Sequence, residues 1–375
     1  MKILNIITDT NIGGAGMVLL NFMRNTDRKE FDHAVALPQG AGLAPLLRGL
    51  DIQIIEMDGI AYRSLRPGAI AGFRRLFERM KPDLIHTHAS LSARIAGRVW
   101  DKNCAIVHTR HCAYPQGRLR TSFPARQALG YINNHMSDVI IAISPAARDN
   151  LVDTGTDPKR IVTMFNGVEP VRQLSPYEKR AAKASLGISD GQFVCAIIAR
   201  LVPEKGHKYI LEAAGLLKGL PISFIIAGAG PQEQALRAEV SAKGLDNCIF
   251  TGFVSDIAEV ENITDLQLNA SYGTETSCLA VLEGMSLSTP AVVSDFGGNP
   301  HLVTNGLNGV VVPTHSGAAI AEAIRRLYED PEGLAGMGAA ALRIYNERFT
   351  AQIMTANIEN VYRAAVNERT GQLHG

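Results

Sequence analysis

The chain has 375 residues, of which 46% are hydrophobic and 19% charged, and its formal net charge is +1 at pH 7. This length predicts about two domains, each large enough for its own core. The nearly balanced charge argues against a nucleic-acid-binding protein, and no apolar run is long enough to span a membrane.

The start of the chain and its cysteines favour a cytoplasmic location. Residues 1–7 have the apolar pattern of a first strand and lack a signal-peptide cleavage site. The five cysteines are odd in number and show no C-x-x-C spacing, which argues against a disulfide framework or a zinc site. We therefore expect a reducing, cytoplasmic environment.

A glycine-rich turn follows the first strand. Gly13 and Gly14 lie in this turn, and a helix is predicted from about Met17. Glycines at such a turn let the backbone approach a ligand at the mouth of the helix. The run is not G-x-G-x-x-G, so the indication of a dinucleotide site is weak. Further strands are predicted at residues 33–37, 52–56, 84–86, 105–109 and 139–143 with helices between them, which favours a parallel sheet covered on both faces.

The helix predicted at residues 67–81 combines a basic and an apolar face. Arg74, Arg75 and Arg79 alternate with phenylalanine, leucine and methionine. Residues 1–170 hold 21 lysines and arginines against 15 acids, so the first half is basic. The helix either lies on an anionic membrane as a peripheral contact or covers the sheet with a solvated basic face.

Four histidines lie near predicted strand ends: His86, His88, His108 and His111. The carboxyl ends of parallel strands are where open α/β sheets place their ligands. The spacing could suit a metal, but no carboxylate stands beside these histidines, so a metal site is disfavoured.

A polar, proline-punctuated segment near residues 170–178 has the character of a linker. After it, a second alternating series predicts strands at residues 193–199, 222–227, 248–251, 266–269, 291–294 and 310–312. The chain therefore predicts two successive doubly wound halves. A last helix, at about residues 351–366, is long enough to pack back across both.

Several loops of the second half carry residues suited to a phosphorylated ligand. Arg200 follows its strand directly, and Lys205 comes five residues later. Two cations on one strand-end loop can clamp a diphosphate, the arginine through its fork and the lysine as a point charge. Gly228 belongs to a tight turn after the next strand, where missing side chains leave room for a ligand.

The stretch at residues 269–298 contains the most informative pattern. Glu275 and Glu283 are eight positions apart, and a helix beginning near Ser277 would hold Glu275 at its mouth and Glu283 two turns in. The N-terminus of such a helix suits a phosphate. The alternative is an ordinary β-α-β crossover with two solvated glutamates.

Taken together, these segments resemble the family-4 retaining glycosyltransferases of GT-B fold, also called group 1 glycosyltransferases. The matching motifs are Gly13-Gly14, Ile143-Ser144, Asn166-Gly167-Val168, Arg200 to Gly206, Gly228 to Pro231, Thr251 to Val254, the Glu275/Glu283 pair, Gly297-Gly298 and Asn308-Gly309. The resemblance implies two Rossmann-like domains facing across a cleft. Residues 1–170 would form an acceptor-side domain, completed by a C-terminal helix in residues 351–375 that crosses back to it. Residues 171–350 would bind the nucleotide-sugar donor.

The resemblance also implies roles for individual residues. The catalytic group would be His111, Glu275, Arg200 and Lys205. The donor-binding residues would be Gly13, Gly14, Arg200, Lys205, Gly228, Phe253, Val254, Glu275, Ser277, Cys278, Leu279 and Glu283. In this scheme the two cations hold the diphosphate, Glu283 the ribose, Glu275 and His111 the transferred sugar, and Phe253-Val254 the base.

Two departures from the family pattern lie beside the implied sugar pocket. The usual E-G-x-G is Glu275-Thr276-Ser277-Cys278 here, and His301 replaces the acid of the G-G-x-P-E motif. These departures affect the identity of the donor sugar more than the type of reaction.

We therefore expect a metal-independent, retaining transfer of a hexose-type sugar from a nucleoside-diphosphate sugar, with UDP or GDP as the expected nucleotide and no other cofactor. The expected acceptor is a carbohydrate or a lipid-linked molecule of the cell envelope, met at the inner face of the membrane. There is no Asp-x-Asp, and Glu259-Val260-Glu261 is predicted to be a solvated helical pair. A GT-B epimerase or phosphorylase, and a non-catalytic scaffold that binds sugar nucleotides, remain as alternatives.

Overall fold

The computed structural model describes residues 1–62, 64–113 and 117–371. The chain divides into two compact units, one formed by Met1–Gly167 with Ala351–Gly375 and the other by Val168–Thr350. The predicted boundary after residue 170 lies three residues from this division.

The first unit is built on a parallel seven-stranded sheet of order β3-β2-β1-β4-β5-β6-β7. Apart from β3 and β7 at the edges of the sheet, each strand is short and almost entirely buried, as parallel sheets require. The strands are β1 (Lys2–Ile7), β2 (Asp32–Pro38), β3 (Gln53–Met57), β4 (Leu84–His88), β5 (Ala105–Arg110), β6 (Val139–Ala142) and β7 (Ile161–Thr163).

Helices cover this sheet. They are α1 (Gly14–Asn25), α2 (Leu43–Arg48), α3 (Pro67–Met80), α4 (Leu91–Trp100), α5 (Arg118–Thr121), α6 (Ala125–Met136), α7 (Pro145–Asp153) and the last helix of the chain, which packs on α1 and β5. That last helix is held to the unit by buried polar contacts. Tyr362 bonds His86 on β4, and the carboxylate of Glu359 accepts from Thr26.

The second unit has a parallel six-stranded sheet of order β10-β9-β8-β11-β12-β13. Its core combines strand residues such as Ile197, Phe224 and Leu268 with apolar faces of the covering helices. The strands are β8 (Phe193–Ile198), β9 (Ile222–Ala227), β10 (Cys248–Gly252), β11 (Leu266–Asn269), β12 (Ala291–Ser294) and β13 (Gly309–Val312).

The remaining helices are α8 (Pro176–Ser185), α9 (His207–Leu216), α10 (Glu233–Lys243), α11 (Ala258–Glu261), α12 (Leu279–Ser286), α13 (Asn299–Leu302), α14 (Gly317–Glu329), α15 (Pro331–Arg348) and α16 (Ala351–Thr370), the last of which belongs to the first unit. α12 packs on β11 and α15. The second unit is therefore also a sheet covered by helices.

The predicted α/β class with two doubly wound halves is confirmed, and every predicted strand is present within two residues of its expected ends. The segment predicted as a linker is partly helical. Pro176 opens α8, because Ser175 and Glu178 form a capping box there. α1 begins at Gly14, three residues earlier than expected.

Within the described residues, no helix is both long and apolar enough to cross a bilayer. All five cysteines are free thiols.

Candidate functional site

The order of strands in the second unit locates its ligand edge. The chain runs outward from β8 through β9 to β10, returns to the other side of β8, and continues through β11 to β13. Between β8 and β11 the direction of winding reverses, and open α/β sheets bind ligands at the carboxyl ends of the strands beside such a reversal. Arg200 and Lys205 follow β8, and Glu275 follows β11, so the predicted residues flank this point.

Arg200 and Lys205 differ in exposure. Arg200 is exposed, and no other residue in the described part of the chain forms an ion pair with it. Lys205 ends the short turn Pro203–Lys205, and its side chain is only 17% exposed. Burial alone would lower the pKa of the Lys205 ammonium, but the charge of Glu275 and the hydrogen bond to it raise that pKa above its ordinary value. The positive charge of Arg200 opposes this rise, a sign that the two cations are close. A guanidinium without an ion-pair partner in the described residues and a neighbouring ammonium together attract an anion.

Glu275 is the centre of a buried polar cluster. Its Oε2 accepts from the Lys205 Nζ at 2.7 Å, from the Asn269 Nδ2 at 3.0 Å and from the Ser271 Oγ at 3.0 Å. The glutamate side chain is 5% exposed. Burial alone would raise the pKa of this carboxyl, but the charge of Lys205 and the three hydrogen bonds bring that pKa below 4.5. Glu275 is therefore a fixed carboxylate, and the structure brings it together with Lys205 as neighbours.

The loop that carries Glu275 rests on a pair of glycines. The backbone N–H of Gly298 donates to the Glu275 carbonyl at 3.0 Å. Gly297 has φ +60°, and a β-carbon at either glycine would collide with the backbone of residue 275 or 276. Only glycine allows this approach, which explains the Gly297-Gly298 pair as a support for the site.

α12 begins at Leu279, with Cys278 at its N-cap position. Ser277 precedes it, and the Oγ of Ser277 is buried with no hydrogen-bond partner in the described part of the chain. A buried hydroxyl without a partner is costly unless a ligand satisfies it. The predicted helix mouth therefore exists two residues later than expected.

Glu283 lies one turn into α12 rather than two, because the helix starts later than predicted. Within the residues that the structure describes, its side chain forms no hydrogen bond or ion pair with Lys205 or Glu275. Burial raises the pKa of its carboxyl to about 7. The nearby Glu261 has its own pKa raised well above 4.5, by burial and by the charge of Glu283. The two acids therefore share one poorly solvated region.

Glu261 corrects one prediction. It is 1% exposed, whereas Glu259 is exposed, so the two are not a solvated pair. On the short helix α11, residues two apart point in different directions, and that places Glu261 in the interior. Neither of its carboxylate oxygens has a partner in the described residues.

The other predicted donor-binding residues of this unit also follow strands. Gly228 comes directly after β9 with φ +139°, and a β-carbon there would collide with the Ala199 carbonyl. Phe253 follows β10 and is 72% exposed, while Val254 packs against the core. Their positions fit the predicted edge of the sheet, and their roles stay predictions.

In the first unit the winding reverses between β1 and β4; Gly13 and Gly14 follow β1, and His111 follows β5, the strand next to β4. Gly13 caps α1 and Gly14 is its first residue, with open space around the Gly13 α-carbon. His111 follows β5 and is bonded through Nε2 to the Nδ1 of His88 on β4, at 2.8 Å. Burial lowers the pKa of His111 to about 4, so its ring is neutral.

Sequence reasoning missed Asn269 and Ser271 as partners of Glu275, and it named His88 near a strand end without pairing it with His111. The available signal was position, since Asn269 is the last residue of the buried strand β11 and Ser271 follows it by two residues. Among the described residues, no group of three or more histidine, cysteine or acidic side chains is arranged to hold a metal. Metal independence of the reaction stays a prediction.

Two family profiles match the chain. The family described as Glycosyl transferases group 1 matches residues 178–343, and Glycosyltransferase Family 4 matches residues 12–172. Among curated relatives, D-inositol 3-phosphate glycosyltransferase of Rhodococcus erythropolis is 28% identical over 333 residues, which is 80% of this chain and 73% of the relative. Putative glycosyltransferase EpsD of Bacillus subtilis is 28% identical over 318 residues, covering 79% of this chain and 82% of EpsD.

Solved structures with the same fold include Anabaena Alr3699/HepE in complex with UDP and glucose, with a TM-score of 0.84 and 21% identity over 97% of this chain and 100% of that chain. The apo form of the lipopolysaccharide outer core galactosyltransferase WaaB has a TM-score of 0.69 and 18% identity, covering 97% of this chain and 99% of WaaB.

Proposed function

The chain belongs to the group 1, family-4 glycosyltransferases, and on that premise we propose that it moves a hexose-type sugar from a nucleoside-diphosphate sugar to an acceptor hydroxyl with retention of anomeric configuration. One observation carries the proposal. An exposed Arg200, which has no ion-pair partner among the described residues, stands near a buried Lys205–Glu275 pair where the winding of the second sheet reverses. Cation and carboxylate are thus held side by side, as a diphosphate joined to a polyol requires.

The diphosphate would be held by Arg200, Lys205 and the start of α12. The Lys205 ammonium has three N–H donors, and one of them is used on Glu275. The others remain suited to phosphate oxygens, as do the buried Ser277 hydroxyl and the first N–H groups of α12. These positive groups are in place before the leaving group develops its charge, which is the efficient form of electrostatic catalysis. This arrangement supports our proposal that the nucleoside diphosphate departs without a metal ion.

Glu275 would accept hydrogen bonds from the hydroxyls of the transferred sugar, and Glu283 would accept from the two ribose hydroxyls. Glu275 is ionised and fixed by three neighbours, so it offers a rigid acceptor. The same three bonds make its Oε2 a weak nucleophile, which argues against a covalent glycosyl-enzyme intermediate.

We therefore favour front-face attack. The bond between the anomeric carbon and the diphosphate oxygen breaks, the acceptor oxygen bonds that carbon on the same face, and the acceptor proton passes to the departing diphosphate. The transition state is oxocarbenium-like, and the negative charge collects where Arg200 and Lys205 stand.

The donor nucleotide is proposed to be UDP or GDP, held at its base by Phe253 and Val254. The Anabaena HepE crystals contain UDP, which makes UDP the first nucleotide to test. The loop Glu275 to Cys278 lacks the glycines usual in the family, and this stiffer loop would determine which sugar fits.

The acceptor is proposed to be a carbohydrate or lipid-linked molecule of the cell envelope, met at the inner face of the membrane. Phe73, Leu76 and Phe77 of α3 are buried in the core of the first unit, so they are not available to enter a bilayer. Arg74 is half exposed and pairs with Glu78 at 3.6 Å. Any contact of α3 with lipid would therefore be electrostatic rather than inserted.

The proposal is tested by incubating the protein with UDP-, GDP- and ADP-sugars labelled in the sugar, and measuring release of labelled sugar and nucleoside diphosphate. Proton NMR of the first-formed product reports its anomeric configuration. Transfer or hydrolysis with retention supports the proposal. Tight donor binding without sugar release would favour a non-catalytic scaffold, and release that requires inorganic phosphate as co-substrate would favour a phosphorylase.

A further inference from the structure

Two histidines of the first unit share a hydrogen bond that the proposed function leaves unexplained. The Nδ1 of His88, at the end of β4, lies 2.8 Å from the Nε2 of His111, directly after β5. The ring planes are inclined by 25° and the ring centres are 5.1 Å apart. That separation exceeds the nitrogen–nitrogen distance by about twice the radius of an imidazole ring, so the bond lies nearly in the plane of both rings.

The neighbouring His86 does not compete for this bond. Its Nδ1 is bonded to the Tyr362 hydroxyl and its Nε2 to the Thr109 hydroxyl, both at 2.7 Å. His88 and His111 are both neutral, because burial lowers the pKa of each imidazole ring well below its ordinary value. A neutral imidazole has one N–H and one lone pair. A single hydrogen therefore stands between the two rings, and it belongs to one of them.

The surroundings of His88 decide which ring carries that hydrogen. The Nε2 of His88 is buried and has no hydrogen-bond partner in the described part of the chain. The small cavity that the ring borders is lined mainly by apolar side chains, among them Val18, Phe22 and Met354. If His111 donated, His88 would have to carry its hydrogen on Nε2 as a buried, unpaired N–H. Such groups are rarer and more costly in proteins than an unused lone pair.

We propose that His88 is a positioning residue: its Nδ1–H donates to the Nε2 of His111 and so fixes His111 in the tautomer with the hydrogen on Nδ1. The second ring nitrogen of His111, Nδ1, then carries a hydrogen and is not a base. This inference rests on the proposed function for its consequence, which is that His88 holds the ring of His111 in the orientation in which it contacts the transferred sugar. It also means that His111 does not take the proton of the acceptor.

The test combines a spectroscopic and a kinetic readout. In protein labelled with ¹⁵N in the histidine rings, long-range proton–nitrogen correlation identifies which nitrogen of His111 carries the hydrogen, and the His111→Ala spectrum assigns the signals. His88→Leu removes the donor, whereas His88→Asn keeps an amide N–H near the position of Nδ1. His135→Gln changes a histidine of the surface helix α6 and serves as the control.

We expect the Nδ1–H tautomer for His111 in the unchanged protein and in His88→Asn, and a shift toward Nε2–H in His88→Leu. The kcat for donor turnover should fall about tenfold in His88→Leu with donor KM unchanged, and recover in His88→Asn, the scale of one neutral hydrogen bond. An Nε2–H tautomer in the unchanged protein, or an Nδ1–H tautomer that persists in His88→Leu, overturns the inference.

The outcomes separate this inference from the proposed function. If the His111 tautomer changes in His88→Leu while His88→Leu and His111→Ala both keep full kcat, His88 does position His111, but His111 does not contact the sugar. If kcat falls in His111→Ala but the His111 tautomer is the same with and without His88, the contact with the sugar is supported and the positioning role of His88 is wrong.

Discussion

Replacement of Lys205 by methionine separates the structural part of the Lys205–Glu275 pair from its catalytic part. Lys205 is 17% and Glu275 5% exposed, so the substitution leaves a buried carboxylate without its counter-charge. Removing one partner of a buried ion pair costs about 3–5 kcal/mol. Asn269 and Ser271 still donate to Glu275 in the variant. We therefore expect a loss at the low end of this range, with the free energy of unfolding of the second unit lowered by about 3 kcal/mol near pH 7.5.

The loss of stability in Lys205→Met should depend on pH. In the unchanged protein the pKa of Glu275 is below 4.5, so its stabilising contribution is present above that pH and is lost as the pH falls through the folded-state pKa. Without Lys205, burial raises the pKa of Glu275 above its ordinary value, and the variant takes up a proton as the pH falls. The stability deficit of Lys205→Met should therefore be largest at pH 7–8 and shrink toward pH 5.

Hydrogen exchange at increasing urea, read by mass spectrometry from peptides of Val168–Thr350, reports the free energy of unfolding of this unit alone. Arg200→Met is the matched control, since Arg200 is an exposed neighbour and its loss should change stability by less than about 0.5 kcal/mol. Lys205→Met combined with Glu275→Gln should recover part of the deficit. A deficit below about 1 kcal/mol that is equal at pH 7.5 and pH 5.5 would refute the reasoning.

The remaining predictions concern activity and lipid. Arg200→Ala should lower kcat/KM for the donor by about 2–4 kcal/mol of transition-state stabilisation, and unchanged donor kinetics would remove it from the diphosphate site. Glu283→Gln should mainly raise donor KM, by the equivalent of about 1.5–3 kcal/mol. Since the pKa of Glu283 is about 7, kcat/KM of the unchanged enzyme should fall as the pH drops below about 7, and a pH profile that Glu283→Gln leaves intact contradicts the assignment. Glu275→Gln and His111→Ala should mainly lower kcat, and a change confined to KM in both would reverse the division of roles. The protein should co-sediment with liposomes of anionic lipid at low salt but not at high salt. Equal amounts of protein in the pellet with anionic and with neutral lipid would exclude an electrostatic contact with the membrane.

Much of the fold follows from the sequence because most strands are short apolar runs bounded by turn residues. β7 escaped prediction, since its three residues at Ile161–Thr163 are too short to show a pattern and two of them are exposed. α12 starts two residues later than predicted, because the structure caps the helix at Cys278.

The site could be predicted only where one residue carries its own signal. Arg200 and Lys205 follow a strand end, and glutamates stand at helical spacing, so they were identifiable. The partners of Glu275 come from Asn269 and Ser271, whose side chains converge on it only in the folded loop. His88 and His111 are 23 positions apart and meet because β4 and β5 are neighbours. Glu261 was misjudged because burial depends on packing that sequence spacing does not contain.

Calorimetric titration of the protein with UDP, GDP and ADP tests the central claim that the carboxyl edge of the second sheet binds a nucleoside diphosphate. The account predicts that one of the three binds at pH 8, and that its affinity falls about 10–150-fold in both Arg200→Ala and Glu283→Gln, while exposed His135→Gln binds normally. Binding of none of the three nucleotides, or equal affinity in all four proteins, would contradict it.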